Sequence, residues 1–307
     1  MLEGWGKREY NWQATVSVQQ ELRPNVGVNI GYFYSRFLNL SAFDNVLTTP
    51  ADFDAFCTTA PRDPRLPNGG GYQVCDLGDV RPAKFGLVDT VVTQASRCGR
   101  PTRTYQGVDA VLNARFGGGG LFGGGFSTGR TATQCVVVDA PVQFCNNVQP
   151  FLAQYKFHGA YPLPWWGIQA SATYQNLPGA PISMTYVPTN AEIAPSLGRN
   201  LAACGAADPC SAVYTTIQPG VTIGGTPTPI LLVAPNTVFE DRLSQLDLRL
   251  TKILRFGRTR VQGMFDIYNI FNAAAVLTTI GAYGPAFLRP AGVMGGRTFK
   301  FGAQLDF

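Results

Sequence analysis

Apolar and polar residues alternate over eight segments of this chain, a ninth is glycine-rich, and the connections between the segments are alternately short and long. Successive side chains of a strand point to opposite faces, so a period of two specifies a sheet with one apolar and one polar face. Trp12, Ala14, Val16 and Val18 alternate with Gln13, Thr15 and Ser17, and Val26, Val28, Ile30, Tyr32 and Tyr34 oppose Asn29 and Ser35. Val108, Ala110, Leu112, Ala114 and Phe116 oppose Asp109, Asn113 and Arg115, and a glycine-rich strand follows at about 121–132. Tyr155, Phe157 and Tyr161 oppose Gln154, Lys156 and His158, and Ile168, Ala170, Ala172 and Tyr174 oppose Gln169, Ser171, Thr173 and Gln175. In the last three segments Leu246, Leu248 and Leu250 face away from Gln245, Asp247 and Arg249, and Val261, Phe265 and Ile267 from Gln262, Asp266 and Tyr268. Phe299, Phe301, Ala303, Leu305 and Phe307 face away from Lys300, Gly302, Gln304 and Asp306. These segments exceed the about five or six residues of a typical strand.

Short connections fall at Arg23-Pro24-Asn25, 117–120, Pro162–Trp165 and Leu254–Arg258, and long ones at 39–104, 133–150, 187–241 and 273–296. The alternation predicts an all-β, antiparallel, up-and-down sheet with tight turns at one rim and long loops at the other, the asymmetry of a transmembrane β-barrel. Charged residues are only 14% of the chain, against about a quarter in an ordinary soluble domain. The polar face is correspondingly built of Gln, Ser, Thr and Asn with isolated charges, as in a lumen, whereas a soluble β-sandwich or lectin would expose a face rich in Lys and Glu. Trp12, Tyr32, Tyr34, Tyr161, Trp165 and Trp166 lie towards strand ends, where an interfacial girdle would put them. No apolar run approaches the about 18–20 residues of a membrane-spanning helix; the longest are as short as Ile230–Ala234. The net charge of +5 comes from arginines spread along the chain, so nucleic acid is not an expected partner.

Seven cysteines, at 57, 75, 98, 135, 145, 204 and 210, all fall in the Gly/Pro-rich long connections. Their spacings are not those of zinc modules, and His158 is the single histidine. Disulfides Cys135–Cys145 and Cys204–Cys210 are expected; Cys57 and Cys75 are further candidates, with one of Cys57, Cys75 and Cys98 left over by odd-number arithmetic. The opening residues carry no export signal, while the cysteines suit an oxidising compartment. The chain is therefore expected to be the back part of a longer protein.

Catalytic constellations are weak. His158 has no serine and acid at recognisable spacing, and GGGGLFGGG (117–125) lacks the Lys-Ser/Thr and the helix of a phosphate loop, reading better as a turn and a glycine-rich strand. No enzyme activity, cofactor or metal is expected. Asp109, Arg115, Lys156, His158, Asp247, Arg249, Asp266 and Lys300 share the polar parity and are the candidate lumen-facing residues. Lys252 breaks parity near the tight-turn rim, where its stem can snorkel, and Arg255, Arg258 and Arg260 cluster there as anchors for anionic headgroups.

The tail Lys300-Phe301-Gly302-Ala303-Gln304-Leu305-Asp306-Phe307 resembles the terminal signal read by the barrel-assembly machinery, with Lys300, Gly302, Leu305 and Phe307 at its key places. Together with RLSQLDLRLTKILRFGRTR (242–260), FDIYNIFN (265–272) and RTYQGVDAVLNARF (103–116), it makes essentially the whole chain resemble the C-terminal barrel of TonB-dependent receptors. The likeness is to the Oar-like branch, whose members carry an N-terminal carboxypeptidase-regulatory-like domain. The resemblance implies residues 1–307 as the C-terminal part of one outer-membrane barrel domain of 22 strands, with plug and N-terminal strands absent. It also implies a Gram-negative-type outer membrane, and as partners its lipid, the assembly machinery, the TonB complex through the missing N-terminal region, and an unknown ligand to be bound and moved. A plug-less passive pore, a surface adhesin barrel and a secreted carbohydrate-binding β-sandwich are the alternatives. Nine strands alone are expected to give an open sheet or a forced small barrel.

Overall fold

The computed structural model describes residues 4–214 and 228–307; the rest of the connection read at 187–241 lies outside them. Its main sheet is an antiparallel meander of nine long strands in chain order. They are β1 (Tyr10–Arg23), β2 (Val26–Leu38), β3 (Thr102–Phe116), β4 (Gly120–Gln134), β5 (Gln154–Pro162), β6 (Ile168–Leu177), β7 (Leu243–Phe256), β8 (Thr259–Tyr268) and β9 (Thr298–Asp306). A short strand, Asn146–Val148, adds to the end of β4. Strands hold 54% of the residues, which establishes an all-β class. No described helix is long and apolar enough to cross a membrane.

Each alternating segment of the sequence is one strand of this sheet, because a two-residue apolar period stays on one face only in extended backbone. The short connections are tight turns: Asn25 at φ 68°, Gly118 at 80°, Trp166 at 54° with Gly167 at 60°, and Gly257 at 60° carry the left-handed residues that reverse the chain. The boundaries move by a few residues, since β3 begins at Thr102 and β7 ends only at Phe256. Strands β1 and β9 do not pair with each other, so the sheet is open. Both run from the long-loop rim to the tight-turn rim, as the pairs Tyr10↔Leu38 and Arg260↔Asp306 show.

Neither face of the sheet carries the buried core. On the apolar face Trp12 is 68% and Phe301 79% exposed, and Val16, Ile30 and Leu305 are also open. The core is instead in the described residues of the long connections, 39–101, 135–153, 178–214 with 228–242, and 269–297, which fold together as a cap over one rim. Phe56, Leu66 and Leu77 of the first pack with Ile193, Leu201, Tyr214 and Ile230 of the third and Phe287 of the fourth. Short ladders scaffold the cap: Ser41–Asn45 with Thr90–Gln94, and Phe53–Thr59 with Gln73–Val80. Helix α1 (Asn190–Leu197) starts at a capping box of Thr189 and Glu192 and ends at Gly198, φ 76°. None of this was legible as alternation, and Cys57 and Cys75 lie within ladder strands rather than in irregular loop.

Polar links tie the four connections to one another. Arg199 donates to Asp79 Oδ2 at 2.5 Å and to Asp54 Oδ2 at 3.0 Å. Burial of the Asp79 carboxyl raises its pKa, against the lowering by the Ala202 N–H and by Arg199. Losing Arg199 would leave Asp79 a buried, half-satisfied carboxylate, a change that costs about 3–5 kcal/mol. Asn45 N–H donates to Asp139 Oδ2 at 3.0 Å, and Leu231 N–H to Gln143 Oε1 at 2.9 Å. Arg65 reaches the Phe287 carbonyl at 2.8 Å. Disulfides join Cys57–Cys75, Cys135–Cys145 and Cys204–Cys210, and Cys98 is free and exposed.

Candidate functional site: the polar face of the sheet

Strand register decides which side chains meet. One row across the sheet reads Glu21, Gly27, Asn113, Gly123, His158, Thr173, Asp247. The next row towards the tight turns reads Arg115, Leu121, Ala160, Ser171, Arg249, Asp266, Lys300. Towards the cap follow Val111, Gly125, Lys156, Gln175, Gln245, and beyond them Asp109, Ser127, Gln154. All eight charged or ionisable candidates, Asp109, Arg115, Lys156, His158, Asp247, Arg249, Asp266 and Lys300, therefore stand on one face.

Seven of them divide into two groups, and the eighth, Lys300, stands on β9 opposite Asp266. On β7 and β8 the charges satisfy each other: Arg249 grips Asp266 in a fork, Nε to Oδ1 at 2.6 Å and Nη2 to Oδ2 at 3.0 Å, and Tyr268 OH donates to Asp266 Oδ2 at 3.2 Å. Gln245 Nε2 donates to both oxygens of Asp247 at 2.9 and 3.0 Å, and the Asn269 N–H to Oδ1 at 2.8 Å. Gln175 Nε2 extends the chain to Gln245 Oε1 at 2.9 Å. A bidentate Arg–carboxylate fork over a nearly buried Asp266 fixes the β7–β8 geometry and pairs the charge of Arg249.

On β3 and β5 the situation is reversed. Among the described residues the side chains of Asp109, Arg115, Lys156 and His158 make no hydrogen bond or ion pair. Strand β4 between them presents glycines on this face, and rings lie across glycines of the sheet. A Cβ at Gly123 would stand 2.7 Å from His158 Cε1 and 3.0 Å from Asn113 Oδ1. Tyr105 covers Gly107 and Gly129, and Phe33 covers Gly31. The glycine run thus makes room for side chains of adjacent strands. Its GGGGLFGGG stretch is a tight turn leading into β4, as expected.

At the tight-turn rim Lys252 donates through Nζ to the Trp166 carbonyl, so the lysine reaches the rim as a snorkelling side chain would. Arg255 pairs in register with Arg260, and Arg258 lies in the turn. In the tail, Lys300 and Gly302 are on the polar face, opposite Asp266 and Met264. Leu305 is on the apolar face opposite Val261, and Phe307 is exposed at the tight-turn rim. Phe299 and Phe301 stack on Phe265 at 6.1 and 4.9 Å between ring centres. No group of three or more His, Cys, Asp and Glu in metal-holding geometry occurs among the described residues.

A feature that sequence reasoning missed is the cap's ion cluster of Asp54, Asp79 and Arg199, whose members are far apart in the chain and carry no spacing signal. No protein-family model matches the chain, and no curated protein or solved structure does either.

Proposed function

We propose that the chain is the C-terminal part of a TonB-dependent outer-membrane receptor of the Oar-like kind, part of a wall through which a bound ligand is moved across the outer membrane. The observation that carries the reading is the uncovered apolar face of an up-and-down sheet whose tight turns all lie at one rim and whose long loops, three of the four disulfide-bonded, all lie at the other. In water that face would aggregate; hydrocarbon is the medium in which it is stable. Aromatic residues Phe116, Tyr161, Trp165, Trp166 and Phe256 are exposed at the tight-turn end, where an interfacial belt belongs. The family assignment itself rests on the tail and the three segments quoted above.

A β-sandwich is disfavoured because no second sheet covers the apolar face among the described residues. The test is expression with an export signal, membrane fractionation, heat-modifiable gel mobility and protease access to the 39–101 connection. Outer-membrane recovery with that connection cut from outside supports the reading. Recovery as a soluble, folded monomer overturns it. A passive pore is distinguished by conductance: a steady open current from the intact parent protein would replace receptor by pore.

A further inference from the structure

On the polar face near the tight-turn rim lies a hollow of about 550 Å³, lined by Gln19, Glu21, Asn113, Arg115 and His158 among others. Its floor includes Gly27, which carries no side chain, beside Asn113 in one cross-strand row, and the His158 ring lies over Gly123 to form its edge. Around this floor the positive groups are unspent. Arg115 uses only its backbone N–H, donated to the Asn25 carbonyl at 2.8 Å. Lys156 is one row towards the cap on the same face as His158, and neither side chain has a partner among the described residues. One acid, Glu21, also lines the hollow; its Oε1 accepts the Asn25 N–H at 3.0 Å and caps the first turn. Asp109 stands further towards the cap, opposite Ser127.

We propose that this hollow is a binding site for a small anionic solute carrying phosphate or carboxylate, held by Arg115 and His158 in its lining and by Lys156 reaching in from the next row towards the cap. A guanidinium offers parallel N–H donors that match two oxygens of such an anion. An ammonium adds a point charge, and the imidazole and the Asn113 amide add donors at the floor. Arg249 and Arg115 are the same residue type on the same face, one paired with a carboxylate and the other without one. The site depends on the register of β1 to β5 and not on what lies against the apolar face. Its failure would leave the membrane reading untouched, and it can be tested whether the chain folds in micelles or in water.

His158 is the sole histidine of the chain, so its imidazole resonances report on the hollow without labelling ambiguity. The full chain, folded in phospholipid-free detergent, is titrated with inorganic phosphate and separately with citrate at constant ionic strength. The expected result is a saturable shift of the His158 signals with one or both anions, weakened at least tenfold in apparent affinity by Arg115→Gln and several-fold by Lys156→Gln. Lys300→Gln, on the far strand, leaves it unchanged. Native gel mobility of each variant checks folding independently of the anion. A linear drift that chloride reproduces, or an Arg115→Gln variant that titrates like the parent, overturns the proposal. A shift seen only when phosphatidylglycerol is added to the micelles, and not with free phosphate or citrate, assigns the chemistry to lipid headgroups and overturns it as well.

Discussion

At the residue scale the molecule separates charges that are satisfied from charges that are not, and the difference follows from where each partner sits in the chain. Asp63 and Arg65 are two residues apart and close a fork within one turn of the cap, Nε to Oδ1 at 2.9 Å and Nη2 to Oδ2 at 2.7 Å. The Arg65 hydrogen bonds hold the Asp63 carboxyl well below the ordinary carboxylate range, from 3.8 to about 2. A depressed acid stabilises the fold in its ionised form, so its contribution is complete above pH 3.8 and is lost as pH falls towards about 2. In Asp63→Asn the resistance of the 39–101 connection to an acid-active protease should lose the part of its pH dependence that falls in that window. An unchanged profile would show that the fork carries no stability. Asp79 and Asp139 shift the other way because burial penalises their charged forms, so the comparison of parent with variant isolates Asp63.

At the element scale, parity governs. Leu248 is central on the apolar face, paired with Ala172 and Ile267, while Thr173 is one residue along β6 from Ala172 on the opposite face, paired with Asp247. If hydrocarbon covers the apolar face, Leu248→Arg should cost about 2–4 kcal/mol near the bilayer midplane, and the yield of heat-modifiable, membrane-recovered protein should collapse. Thr173→Lys places its charge beside Asp247 and should assemble at parental yield. Equal tolerance of the two variants would show that the faces are not solvated differently. The strands themselves were legible because their pattern is local: two faces, period two, punctuated by turn residues such as Pro24-Asn25 and the glycines before β4. The cap was not, because its ladders are short, its helix has eight residues, and its core joins connections far apart in sequence.

For the whole molecule the decisive quantity is the odd number of long strands. With β1 and β9 running the same way, the sheet could close on itself only through a parallel seam, whereas every pairing inside it is antiparallel. An antiparallel closure needs an odd number of additional strands between the two edges, each keeping its tight turns at the same rim. Alone, the chain keeps two free edges, and free edges recruit other strands. Cysteines introduced at Ala14 and Ala303, with Cys98 replaced by Ser, should therefore form no intramolecular disulfide in the folded monomer. An efficient cross-link within one chain would show that the edges meet and that the sheet closes unaided.

The sequence by itself determined the nine long strands, their up-and-down order, the two chemically distinct faces and the common side of all eight charged candidates, because each follows from local alternation and turn chemistry. It also placed the cysteines in the long connections, and left open which partner, if any, Cys57 would take. Only the tertiary structure decided that Cys57 joins Cys75, that the long connections share one core, and that Arg249 is spent on Asp266 while Arg115 is not. Those outcomes depend on register and on contacts between distant residues, and register is set by the whole sheet rather than by any single strand.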